Sequence, residues 1–182
     1  MSAVIEHAPA RELEKADVVY PLAVLEGAGW EWPGIERAVR QVEEIFGQCG
    51  VAVTVGHIYL LSAPDDFLEL DESMQSRLLD RLPESRPAAL LVGRTTDQDT
   101  AYSYLVSAPV PSRGTAWVTR ASRPVCLGVL LAHELGHILL NTARHNRDPE
   151  NLMSYTCTIS NIQRSAIGAR LSASQCRQLR ER

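Results

Sequence analysis

Apolar residues along the chain come in two patterns: short unbroken or alternating runs, and segments in which they return every three or four positions. Val18 to Leu25 is β-branched or apolar almost throughout and stops at Gly27 and Gly29, which predicts a first strand. Pro33-Gly34 then opens a helix with Ile35, Val39, Val42, Ile45 and Phe46 on one face and Gly47 at its end. Val51, Val53 and Val55 alternate with Ala52 and Thr54 and run on into Ile58–Leu61, a second strand. A short helix is expected over Asp71–Leu82 through Met74, Leu78, Leu79 and Leu82, followed by a wholly apolar strand at Ala88–Val92.

Ala101–Val106 reads as a further strand, stopped by Pro109 and Pro111; proline cannot donate to a ladder, so this strand belongs at a sheet edge. Gly114–Thr119 is the last strand. Ser122 and Pro124 mark the start of a helix that runs through Leu127, Leu130 and Leu131 to Leu140. Ser172-Ala-Ser-Gln175 has the form of a capping box for a final helix. These elements predict an α+β fold in one domain: a mixed, twisted β-sheet with an antiparallel edge strand and helices packed on it. Residues 18–182 form that domain, and residues 1–17 are expected to be a poorly structured extension.

Composition narrows the function. The 182 residues carry a formal charge of -4 with acidic and basic residues interspersed, so no basic stripe favours nucleic acid or an anionic membrane. No run approaches the roughly 20 apolar residues of a membrane-spanning helix, and the N-terminus lacks the apolar core of a signal peptide. The chain is expected to be cytoplasmic, already trimmed, or exported without a leader. Cys49, Cys126, Cys157 and Cys176 form no CxxC pair, which argues against a cysteine-ligated structural zinc. They read as buried free thiols, with a Cys157–Cys176 bridge as the alternative in an oxidising compartment.

The chemistry is concentrated in residues 133–145, His-Glu-Leu-Gly-His-Ile-Leu-Leu-Asn-Thr-Ala-Arg-His. On a helix His133 and His137 lie one turn apart and project from the same face, the separation two ligands of one tetrahedral zinc require. Glu134 is rotated about 100° from His133 around the axis, where it reaches a metal-bound water more easily than the metal. A zinc ion with three protein ligands makes hydroxide available at neutral pH, and Glu134 as general base takes the proton of the zinc-activated water. A straight helix would carry His145 about 12 Å past His137 along the axis. The chain must therefore leave the helix after Leu140 and turn back, with Asn141 as the natural left-handed residue. Asp148 and Glu150 are the alternative third ligands.

These residues resemble the metzincin clan of zinc peptidases, whose motif is His-Glu-x-x-His-x-x-Gly-x-x-His followed by a methionine turn. His133, Glu134, His137 and His145 match its ligands and base, and Asn151-Leu152-Met153-Ser154-Tyr155 resembles its turn. The resemblance implies a metzincin-like domain binding one Zn²⁺ per chain and hydrolysing peptide bonds as an endopeptidase on a peptide or protein substrate. It further implies that Tyr155 helps to stabilise the transition state and that substrate pairs with the edge strand Ala101–Val106. Two departures stand out: Leu140 occupies the glycine position, and the third histidine comes two residues late.

A zinc-containing, non-catalytic peptide-binding module of the same fold is the competing reading, and a gluzincin-like site using Glu150 ranks behind both. Elsewhere, His7 and His57 read as ordinary surface or strand residues. Trp30 and Trp32 read as core packing before they read as a substrate cleft, and Arg144 and Arg147 as solvated loop charges.

Overall fold

In chain order the elements are β1 (Ser2–Glu6), β2 (Val18–Leu25), α1 (Trp32–Gly47), β3 (Val53–Leu61), β4 (Glu69–Leu70), α2 (Glu72–Leu79), β5 (Ala88–Val92), β6 (Arg94–Thr95), β7 (Ala101–Tyr104), β8 (Thr115–Thr119), α3 (Leu127–Leu139) and α4 (Ala173–Arg180). They come from a computed structural model that describes residues 2–6, 13–62, 64–82, 86–96, 101–110, 112–120, 126–154 and 169–182. Six strands form one sheet in the order β1-β3-β2-β5-β8-β7. The four inner strands run parallel, and each edge strand is antiparallel to its neighbour, β1 to β3 and β7 to β8. Strands β4 and β6 form a separate two-stranded pair.

The unbroken apolar runs are the inner strands, because both faces of the sheet are covered. Alternate side chains of β2, β5 and β8 serve two cores. Leu22, Val24, Ala89, Leu91, Ala116 and Val118 join the buried faces of α1 and α3. Ala23, Leu25, Leu90, Val92 and Trp117 pack with Phe67, Leu70, Leu78 and Leu79 on the other side. Helix α1 buries Ile35, Ala38, Val39, Val42, Ile45 and Phe46, the spacing of one helical stripe. Helix α3 packs against α1, β7 and β8 and is buried nearly all round. The two helices meet at Gly128, where a Cβ would come within 3.0 Å of the Ala38 Cα, so only glycine admits this approach.

Three expectations need correction. Residues 2–6, inside the stretch expected to be unstructured, form strand β1, whose backbone pairs along the otherwise open edge of β3. The described cysteines are not free thiols. Cys176 is bridged to Cys49 across 127 residues of sequence, and Cys126 is also disulfide-bonded. Cys157 lies outside the described residues, and Cys176 takes Cys49 as its partner because α4 docks on the end of α1: the Gln48 side chain donates to the Ala169 carbonyl at 3.1 Å and Arg180 to the Cys49 carbonyl at 3.0 Å. The edge strand is shorter than expected and ends at Tyr104, since Leu105–Ala108 forms a turn before the prolines. Ser122 and Pro124 lie outside the described residues, and α3 is first seen after Cys126. No described helix is long and apolar enough to cross a membrane.

Candidate metal centre

Helix α3 ends in a way that returns the chain to its own side. Leu140 keeps helical angles and is buried, and Asn141 takes the left-handed conformation at φ 45°. The Thr142 N–H donates to the His137 carbonyl at 3.0 Å and the Asn141 N–H to the Ile138 carbonyl at 3.1 Å. These two bonds make a Schellman turn with asparagine at the left-handed position usually held by glycine. The freed Leu140 carbonyl accepts from Gln178 Nε2 of α4 at 2.8 Å. Because Leu140 stays in the helix and the turn falls one residue later, the extra residues before His145 are used up in the return.

The result is that three imidazoles converge. The Nε2 atoms of His133 and His137 are 3.0 Å apart, and that of His145 lies 3.3 Å from each. Two of the tautomers are fixed by backbone carbonyls. His133 Nδ1–H donates to the Leu152 carbonyl at 2.6 Å, and His137 Nδ1–H to the Thr142 carbonyl at 2.6 Å. With the proton on Nδ1, each Nε2 presents a lone pair, so the 3.0 Å contact between them is not a hydrogen bond. Such an arrangement is favourable only around a cation. Nitrogens held at about 2.0–2.1 Å from a tetrahedral zinc lie about 3.3–3.4 Å from one another, close to the spacing seen.

Burial reinforces the neutral form of these rings. The pKa of His133 is pushed down to about 4, chiefly by burial and further by His137 and His145, against the pull of the Leu152 carbonyl. Burial also lowers His137, with His145 adding to the effect, and it lowers His145. In the metal-free protein each ring is therefore harder to protonate folded than unfolded. Stability should be intact above pH 6.5 and fall as the pH drops through 6.5 towards 4, with His133 alone accounting for on the order of 3 kcal/mol. Urea unfolding of the metal-free protein at stepped pH tests this, and a midpoint flat between pH 7 and 4.5 would contradict it.

Glu134, on the same turn as His133, is the one carboxylate among the buried described residues, with 6% of its surface exposed. Asp148 and Glu150 stay outside the cluster: both are exposed, Asp148 accepts from the Glu150 N–H at 3.0 Å, and Glu150 pairs with Arg170 at 3.1 Å. Tyr155 and His7 lie outside the described residues. Beneath the helix, residues 151–154 form a turn in which Asn151 accepts from the N–H groups of Met153 and Ser154 at 2.9 and 3.0 Å. A Cβ on Gly136 would come within 2.7 Å of Met153 Sδ, so Gly136 lets the turn press against the helix between the two histidines. Trp30 is half-buried, donating to the Val92 carbonyl at 3.0 Å, whereas Trp32, Arg144 and Arg147 are exposed.

No family model matches the chain, and no curated protein is similar to it in sequence. Solved structures do share its shape. Archaemetzincin from Methanopyrus kandleri superposes with a TM-score of 0.62 at 16% identity, over 96% of this chain and 98% of its own. The fold is archaemetzincin-like. Metalloproteinase-II from Bacteroides fragilis superposes with a TM-score of 0.59 at 17% identity, over 90% of this chain and 52% of its own. At these identities the likeness speaks for the fold, and the case for a metal rests on the three histidines.

The carbonyls that fix the two tautomers carry no signal of that role in the sequence. Gln175 is legible as part of a capping box, but not as a partner of Asn151.

Proposed function

We propose that this protein is a zinc-dependent endopeptidase in which one Zn²⁺ per chain is held by His133, His137 and His145. The observation that carries this reading is the cluster of three Nε2 atoms 3.0–3.3 Å apart, two of them fixed as lone-pair donors; the buried Glu134 follows the first of these histidines in the chain. His133, His137 and His145 would hold the zinc, which would supply a water acidified to a pKa of about 7. Glu134 accepts the proton released as the peptide carbonyl is attacked and passes it to the leaving amine nitrogen. By resemblance, Tyr155 supports the charge that develops on the carbonyl oxygen. Residues 18–182 are the catalytic domain, with β1 added at its edge.

The substrate lies along β7. That strand pairs with β8 on one side, has no strand on the other among the described residues, and touches α3. An extended peptide adding to this edge is read first through its backbone.

Elemental mass spectrometry of the purified protein and of His145→Ala, with digestion of a broad peptide library, tests the reading. One zinc per parent chain is expected, with affinity weakened more than about 100-fold in His145→Ala, beyond what loss of an outer partner costs. Specific cleavage by the parent completes the result. Zinc without any cleavage would favour a peptide-binding module, and tight zinc in His145→Ala would remove His145 from the ligand set.

A further inference from the structure

Helix α4 lies at the end of the chain, yet its first turn is wired to the histidines. Gln175 Nε2–H donates to Asn151 Oδ1 at 3.2 Å, and Asn151 Nδ2–H donates back to Gln175 Oε1 at 2.9 Å. Each amide thus fixes the orientation of the other. The same Asn151 Oδ1 accepts the Met153 N–H at 2.9 Å. That N–H and the Leu152 carbonyl are the two ends of one planar peptide, and the Leu152 carbonyl accepts His133 Nδ1–H at 2.6 Å. A rotation of the amide pair therefore tilts the peptide plane and, with it, the carbonyl that sets the ring of His133.

We propose that Gln175 is a positioning residue for the metal centre, acting through Asn151 and the 152–153 peptide on His133. The proposal rests on the zinc reading above. Capping alone does not account for Gln175. The capping box needs only its Oε1, which accepts the Ser172 N–H at 2.7 Å, while its Nε2–H is spent on Asn151. Asn151 is buried, with 4% of its surface exposed, so its amide has few alternatives if Gln175 is lost. Partners that orient a metal-bound imidazole carry about 10- to 100-fold in metal affinity, and Gln175 acts one step behind such a partner.

The test is zinc affinity, measured by competition with a chromophoric chelator, together with the absorption spectrum of the Co²⁺-substituted protein and the denaturation midpoint of the metal-free form. Gln175→Ala should weaken zinc about 10-fold and shift the Co²⁺ bands. Ser172→Ala removes the cap without touching Asn151, so it should lower the denaturation midpoint and leave zinc affinity within about twofold. Gln175→Glu keeps the accepting oxygen and loses the donor, and its affinity should fall between those of the parent and Gln175→Ala. The double variant Asn151→Ala with Gln175→Ala should bind zinc no more weakly than Asn151→Ala alone.

Unchanged affinity in Gln175→Ala, or an equal loss in Ser172→Ala, overturns the proposal while leaving the zinc reading in place. A parent protein that binds no zinc overturns both. If Gln175→Ala fails to fold, Gln175→Glu decides: an affinity within about twofold of the parent overturns the proposal, and a larger loss supports it.

Discussion

Glu134→Gln is expected to lower peptide hydrolysis by about 10²–10⁴-fold while leaving the zinc content of the protein unchanged. The substitution keeps the volume of the side chain, so the packing around this buried position is retained. What it removes is the proton acceptor. The three converging nitrogens come from His133, His137 and His145, and Glu134 is not among the groups that meet there, so metal binding should survive. The loss should lie in kcat, with KM little changed, because a general base acts in the transition state and does not hold the peptide in the ground state. Steady-state kinetics on the best substrate from the library separates the two parameters. A variant that keeps more than about a tenth of the parent's kcat would show that Glu134 is not the base.

The contrast between what the sequence revealed and what it hid follows the range of the forces involved. Strands β2 and β5 agree with their apolar runs at both ends, Val18–Leu25 and Ala88–Val92, because neither run contains a charged residue to blur the boundary. Asn141 was legible as a turn for a local steric reason: asparagine tolerates the left-handed backbone, and the chain had to double back to deliver His145. The capping box at Ser172 and Gln175 is likewise written within four residues. By contrast, the pairing of Ser2–Glu6 with β3 depends on an edge that exists only once the sheet has formed. The bridge between Cys49 and Cys176 depends on where α4 docks, and no spacing in the sequence records that. The site divides in the same way. His133 and His137 are legible from helical spacing and His145 only through the turn at Asn141, while the carbonyls of Leu152 and Thr142 that fix the tautomers of the first two belong to backbone that any residue could supply.

Replacing both Cys49 and Cys176 with serine is expected to cost about 3–5 kcal/mol of folding stability. The bridge spans 127 residues, so in the unfolded chain it closes a loop comprising most of the protein, and its removal releases that lost entropy. Cys49 is buried at the end of α1, and a serine hydroxyl left there without a partner adds to the loss. Urea denaturation without reductant, comparing the parent and the double variant, measures the difference. A loss below about 1 kcal/mol would mean that the crosslink does little to restrict the unfolded chain. Zinc affinity should respond differently. Helix α4 remains held by Arg180 on the Cys49 carbonyl, Gln178 on the Leu140 carbonyl and Gln175 on Asn151, none of which requires the crosslink. The double serine variant should therefore lose more stability than Gln175→Ala but less zinc affinity. The bridge secures the helix as a whole, while a single amide on it carries orientation to His133.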